Sequence, residues 1–150
     1  MKDILTAIKT ILQNSSELSY IANNSIYIAP DEDFFESAKT FPQINISDGG
    51  TVYTIEENGG VWEKQCTVKL SVMQLLEVED ISIMGQAAPK IYGILETVNS
   101  IHTVLCDNKL SLAEVELALP FSDEKTIYIE NDIPIVKKAV NYTYRKFGKF

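Results

Sequence analysis

The chain has 150 residues, 45% hydrophobic and 23% charged, with a net charge of −8. That balance fits one domain, residues 1–150, with a core of its own, and excludes a disordered or collagen-like chain. No apolar run approaches the roughly 20 residues of a membrane-spanning helix, and Asp3 and Lys9 interrupt the N-terminal pattern a signal peptide would need, so a cytoplasmic setting without a membrane partner is expected.

Ile4, Leu5, Ile8, Ile11 and Leu12 recur at helical spacing and predict an N-terminal amphipathic helix. Ser15 or Ser16 can stop it and cap a short second turn carrying Leu18, Tyr20 and Ile21. "SIYIA" (25–29) reads as a short strand ended by Pro30, and "QINIS" (43–47) as the next, with Ile44 and Ile46 on one face. Between them, "DEDFFESAKTF" is a loop or single helical turn.

The stretch "SDGGTVYTIEENGGVWEK" (47–64) holds two glycine pairs and predicts two turns bounding one strand, "TVYTIEE". "NGG" (58–60) is the stronger turn signal, since such a hairpin needs positive φ. The returning strand alternates Cys66, Val68, Leu70 and Val72 with Thr67, Lys69 and Ser71, and Trp62 lies near the hairpin tip. "EVEDISIMGQAA" is a connector with a turn at Gly85. Pro89 then opens the best helix pattern in the chain: Ile91, Ile94, Leu95, Val98, Ile101 or His102, and Leu105. "LAEVELAL" (112–119) alternates like a strand. "PFSDEKTIYIENDIP" (120–134) is a proline-bracketed arm containing a small strand. The closing strand sets Val136, Val140, Tyr142 and Tyr144 against Lys137, Asn141, Thr143 and Arg145. The predicted class is α+β: a mixed, mostly antiparallel sheet flanked by an N-terminal helix and a central helix, with projecting β-hairpin arms.

Charge is unevenly spread along the chain. Lys137 to Phe150 carries five basic residues and no acid, leaving 8 basic and 21 acidic residues on the other 136, a balance of −13. An acidic body argues against gripping nucleic-acid phosphates. The basic segment is either a solvated tail or a contact for an acidic neighbour, such as another copy.

No stretch carries the full pattern of a chemical site. "DGGTVYT" runs into a strand and lacks the lysine of a phosphate loop, and Asp48, Glu56 and Glu57 lack the spacing of a calcium loop. Asp31, Glu32, Asp33 and Glu36 surround Phe34 and Phe35 without a histidine, cysteine or glycine turn, so the segment reads as a solvated loop or a docking loop anchored by its aromatics. The lone His102 lies on or beside a core stripe, with no nucleophile or metal motif around it. Cys66 and Cys106 read as two buried, reduced thiols. No catalytic residue, cofactor site or metal site is expected, and the chain reads as a non-enzyme.

The order of elements resembles one family. A "DILTAIKTILQ" helix, a "FPQINIS" strand, a long hairpin into "CTVKLSVM", a central "PKIYGILETVNSI" helix, a proline-bracketed arm and an "AVNYTYRKF" strand are similar to the tail terminator (tail completion) proteins of tailed bacteriophages and related tail-derived particles. The resemblance covers nearly the whole chain in order and size, without a signature motif. It implies a structural virion protein of the tail and neck region, assembled in the host cytoplasm as a homohexameric ring on the head-proximal end of the tail tube. Such a ring stops tube polymerisation and offers a surface for head joining. The implied partners are further copies, the tube protein, a neck or connector protein, and a sheath protein if the tail is contractile. DNA would only pass through the bore. Candidate assembly contacts are Phe34, Phe35, Asn58, Gly59, Gly60, Trp62, Phe121, Tyr128, Arg145 and Lys146. The alternatives are another neck, connector or tube-end protein of the same particle, or a small binding module with a ligand between sheet and central helix.

Overall fold

The N-terminal stripe forms the helix its spacing predicts. In the computed structural model, which describes residues 1–55, 60–129 and 132–149, α1 (Lys2–Asn14) fully buries Ile4, Ile8 and Leu12. Asp3 lies in its first turn, where free backbone N–H groups favour a carboxylate. At the helix end the Ser15 hydroxyl accepts from the Glu17 N–H at 3.2 Å and starts a single 3-10 turn, Ser16–Leu18. Leu18 and Ile21 are buried beside the α1 stripe.

Among the described residues six strands form one sheet: β1 (Ile26–Ile28), β2 (Gln43–Ile55), β3 (Val61–Leu75), β4 (Leu117–Asp123), β5 (Ile127–Ile129) and β6 (Ile135–Lys149). Their order is β1-β2-β3-β6-β4, with β5 also on β6, and only β1 with β2 is parallel. The inner face carries Ile44 and Ile46, then Val68, Leu70 and Val72, then Val136, Val140, Tyr142 and Tyr144, all in one core with α1 and α3 (Ile94–Leu105). The outer face carries Gln43, Asn45 and Ser47, Lys69 and Ser71, and Lys137 and Asn141. Strand alternation makes one face apolar and the other polar. The basic C-terminal segment is therefore an interior strand of the sheet rather than a tail, ladder-bonded to β3 over its full length.

The first glycine pair corrects the sequence reading. Gly49 and Gly50 do not turn the chain. They form a bulge within the single long strand β2, between the pairs Asp48↔Val68 and Thr51↔Cys66. Gly50 holds φ +102, and its N–H bonds the Asp48 carboxylate at 2.7 Å. A Cβ on Gly49 would stand 2.9 Å from the Thr67 carbonyl oxygen, so both positions need glycine. The extra residue reverses the facing of the strand beyond it. Val52 pairs with outer-face Gln65, while Tyr53 and Ile55 pair with Lys64 and Trp62 on the inner side. The second glycine pair flanks the predicted reversal: Ile55 pairs with Trp62, and Gly60 has φ +59. Asn58 and Gly59 lie outside the described residues.

Two boundaries also move. The central helix starts at Ile94 rather than Pro89, because Gln86 and Ile91 exchange both backbone hydrogen bonds (2.8 and 2.9 Å) in a small bridge. That bridge takes the Ile91 N–H away from any helix. Gly93 precedes the first turn, its N–H held by the Glu96 carboxylate at 3.3 Å. The connector before it contains a short helix, α2 (Glu79–Met84), ended at Gly85. The strand expected over 112–119 instead begins at Leu117. Asp107, Leu110 and Ser111 all take positive φ, and Val115 bonds back to Leu112 in a turn. Val115 is buried from that turn, so the alternation there reflects a folded-back loop.

Candidate assembly surfaces

The acidic segment after β1 is docked on the outer face of the sheet. Asn45 donates to the carbonyls of Asp31 (2.8 Å) and Phe34 (2.7 Å), and Gln43 donates to the Glu36 carbonyl at 2.7 Å. Below it, Lys137 pairs with Asp33 at 2.5 Å and lies 4.0 Å from Glu32; Lys69 pairs with Glu32 at 2.9 Å and Glu124 at 3.4 Å. The segment is thus a strap whose acids meet the lysines of β3 and β6. Tyr27, beneath it, donates to Gln43 at 2.7 Å. Burial first, and then the Glu36 charge, push its hydroxyl up to about 12. Phe34 stands edge-on to Tyr27 and stays partly exposed, while Phe35 tilts against Phe41. Both phenylalanines line a concavity of about 440 Å³ with Asp33, Ser37, Asp132 and Ile133.

Past the strap, no described residue covers the outer face. Val52, Gln65, Thr67, Thr143 and Arg145 on β2, β3 and β6 meet Leu119 and Phe121 of β4 around a concavity of about 360 Å³. Phe121 is 74% exposed, where the β4 register shifts between Pro120 and Ser122. Phe147, paired with Glu63, is also exposed on this face.

The basic pair of β6 does not make one basic surface. Arg145 faces outward and pairs with Glu63 at 3.2 Å, while Lys146 faces the other side and pairs with Glu114 at 2.8 Å. Lys137 is buried, and Lys138 donates to the Glu124 carbonyl at 2.7 Å. Of the two sequence readings, a solvated tail or a contact for an acidic neighbour, the strand is not a tail, and the acids it meets belong to its own chain.

His102 acts as a strut. Its Nδ1 meets the Tyr142 hydroxyl and its Nε2 lies 3.0 Å from both Asp123 carboxylate oxygens, tying α3 to β6 and β4. Tyr142 is fully buried, and burial, with the nearby Cys106 and Asp123, holds its hydroxyl protonated well above the usual tyrosine range. Cys66 is buried as expected, but Cys106 is exposed at the end of α3; both are free thiols. Among the described residues no group of three His, Cys, Asp or Glu side chains is arranged to hold a metal, and no helix is long and apolar enough to cross a membrane.

The candidate contacts from sequence therefore fall in separate places. Phe34 and Phe35 lie on the strap; Phe121 and Arg145 share the bare outer face; Gly60 and Trp62 lie at the hairpin end. Tyr128 is 54% exposed at the opposite end, beside Leu76, Glu79 and Ile83. Lys146 faces away from Arg145. Sequence reasoning missed Val52, Tyr53, Ile55, Leu119 and Phe147, all exposed and all around the hairpin half of the sheet. The signal is present in "TVYTI" and "LAL", but alternation alone does not tell which face of a strand is left uncovered.

No protein-family model matches the chain, and no curated protein matches its sequence. The fold does recur among solved structures. A chain of the virion of a native gene transfer agent particle superimposes with a TM-score of 0.60 at 14% identity, covering 96% of this chain and 94% of that one.

Proposed function

We propose that this chain is a non-enzymatic structural component of a phage-type virion, and within it the tail terminator that caps the head-proximal end of the tube as a ring of identical subunits. The observation that carries the reading is the end-to-end likeness to a chain of a gene transfer agent virion. The likeness covers 96% of this chain and 94% of that one, so it concerns the fold as a whole rather than one motif. The surface supports an assembly role. Apolar side chains stand exposed on both sides of the hairpin half of the sheet, beyond the scatter of single exposed residues normal for a monomer. The histidine and the buried tyrosines act as struts and core.

In this reading the ring contacts are heterologous, each copy presenting two unlike surfaces to its neighbours. The neck side or the tube side would take Phe34 and Phe35, and Phe121 the other. Deleting the coding sequence in its parent element tests the role. Overlong tubes without heads are expected. Tails of normal length joined to heads would refute any part in termination. Tails of normal length left unjoined would favour a neck or connector position in the same particle, which the likeness to a virion chain fits equally.

A further inference from the structure

The two edges of the sheet are finished differently. At β4 the Ala118 carbonyl already accepts from the Asp107 N–H at 3.0 Å, and Pro120, two residues on, has no N–H to offer. A register shift comes immediately after it. That part of the edge is blunted in the ways proteins use to prevent strand addition. Further along the same side, β5 is ladder-bonded to β6 alone among the described residues, and Ile127 and Tyr128 are exposed. On the opposite side, β1 covers β2 only from Ile44 to Ile46. Thr51–Ile55 therefore has β3 along one side and no backbone partner along the other among the described residues.

Both open edges have the same chemistry. Thr51-Val52-Tyr53-Thr54-Ile55 and Ile127-Tyr128-Ile129 are uncharged and entirely β-branched or aromatic. Such segments favour extended pairing and are hazards when left exposed. An edge of this kind selects an extended backbone, because what it presents is a row of N–H and C=O groups.

We propose that the Thr51–Ile55 edge of one copy pairs with the Ile127–Ile129 edge of the next, so that the sheet continues from subunit to subunit. This deepens the ring reading and rests on it. Strand direction fits: β2, β3, β6 and β5 alternate in sense, so β2 and β5 run oppositely within one sheet. A rotation that carries one copy onto the next preserves those senses and sets β5 antiparallel to β2, the more stable ladder. Each copy carries one edge of each kind, so a closed ring leaves neither unpaired. The open part of β2 lies at the hairpin end of the sheet and β5 at the other end. Neighbours are then staggered along the strands, which is the shear any closed sheet requires. No charge on either segment meets a like charge across the junction.

Cysteine pairing tests this directly. In a Cys106→Ser background, Val52→Cys, Tyr53→Cys or Thr54→Cys is combined with Tyr128→Cys; all four sites are exposed, so the core is untouched. The full-length variants are assembled, mildly oxidised and run without reductant, with rings counted in parallel by negative-stain microscopy. Facing residues of an antiparallel ladder stand about 4.5–5.5 Å apart, within disulfide reach. At least one combination is expected to give a covalent ladder ending at the ring's subunit number, and each single cysteine no ladder. Rings without a ladder from any combination overturn the edge pairing and leave the ring reading standing. Dimers from Tyr53→Cys alone overturn it in favour of a two-fold β2 contact. Neither rings nor ladders, in solution or on tubes, would refute the ring and the edge pairing together.

Discussion

Lys137 is 7% exposed, on an interior strand, with Asp33 at 2.5 Å and Glu32 at 4.0 Å. Replacing Asp33 by Asn and Glu32 by Gln keeps shape and hydrogen-bonding capacity while leaving that ammonium buried without a counter-charge. Two unit charges at about 4 Å attract by roughly 4 kcal/mol at an effective dielectric of about 20. Asp33 is 71% exposed, so solvent screens part of this, and Lys69 keeps Glu124 when it loses Glu32. The expected cost is about 2–3 kcal/mol, between an exposed pair and a fully buried one. For a domain of this size that lowers Tm by about 5–10 °C. Adding Lys137→Met to the double variant removes the stranded charge and fills its space, and should restore most of the loss. Thermal unfolding of the three variants reads the series, and amide exchange over 31–41 should rise in the double variant as the strap loosens. A loss under about 1 kcal/mol, the range of a surface pair, or a triple variant no more stable than the double, would refute the view that the strap is held by a buried charge.

Three further outcomes are expected from the same structure. Gly50→Val forces a β-branched residue to φ +102 and should cost about 1–3 kcal/mol in denaturant unfolding; a wild-type midpoint would remove the bulge from the account. Tyr144 is fully buried with no partner for its hydroxyl among the described residues, so Tyr144→Phe should be neutral or stabilising. Tyr142→Phe instead leaves His102 Nδ1 without its partner and should cost about 1–2 kcal/mol; equal effects would contradict the strut. Tyr27 is raised to about 12 by burial and Glu36, so the fold favours its neutral form. Its contribution is complete below the ordinary tyrosine value near pH 10 and is lost as pH climbs toward 12. Tyr27→Phe should flatten that part of the alkaline stability profile, and an unchanged profile would refute the assignment.

What the sequence made legible is what local periodicity encodes. The α1 stripe, the β3 alternation and the split of β6 into an apolar and a polar face each depend on a repeat inside one element, and each forms as read. The failures share a different cause. Pro89 looked like a helix start because Ile91 continues the pattern to Ile94, yet the Gln86–Ile91 bridge competes for the same N–H. "LAEVELAL" alternates by chance across a positive-φ turn. "SDGG" is a turn sequence by composition, but β2 and β3 on both sides of it are in register with one extra residue, and a bulge satisfies that where a turn would break the thirteen-residue strand. The bulge is decided by a partner strand well separated in sequence, whereas the bridge and the positive-φ turn are local but non-repeating, so no periodicity reports any of the three.

Pairing within the fold also decides which surface groups are left open to a neighbour. Charge clustered along the sequence suggested recognition by opposite charge between copies. Folding brings the acids of residues 32, 33, 63, 114 and 124 onto the basic β6 or the adjacent Lys69, so most of that contrast is consumed within one subunit. Reversing Arg145 and Lys146 to Glu would therefore set like charges against Glu63 and Glu114 on opposite faces of the sheet. It would strain the monomer before it tested any interface, so weakened assembly in that variant would not identify a contact. What remains unsatisfied on the surface is of another kind: a strand edge without a partner at Thr51–Ile55 among the described residues, and apolar side chains at Val52, Leu119, Phe121 and Phe147. Backbone edges and apolar faces are satisfied only at close, shape-matched contact, whereas paired charges need no neighbour. If copies assemble by the proposed edge pairing, the ring yield counted by negative-stain microscopy should accordingly be insensitive to salt over the range that screens exposed charges, and a steep loss of rings with salt would contradict it.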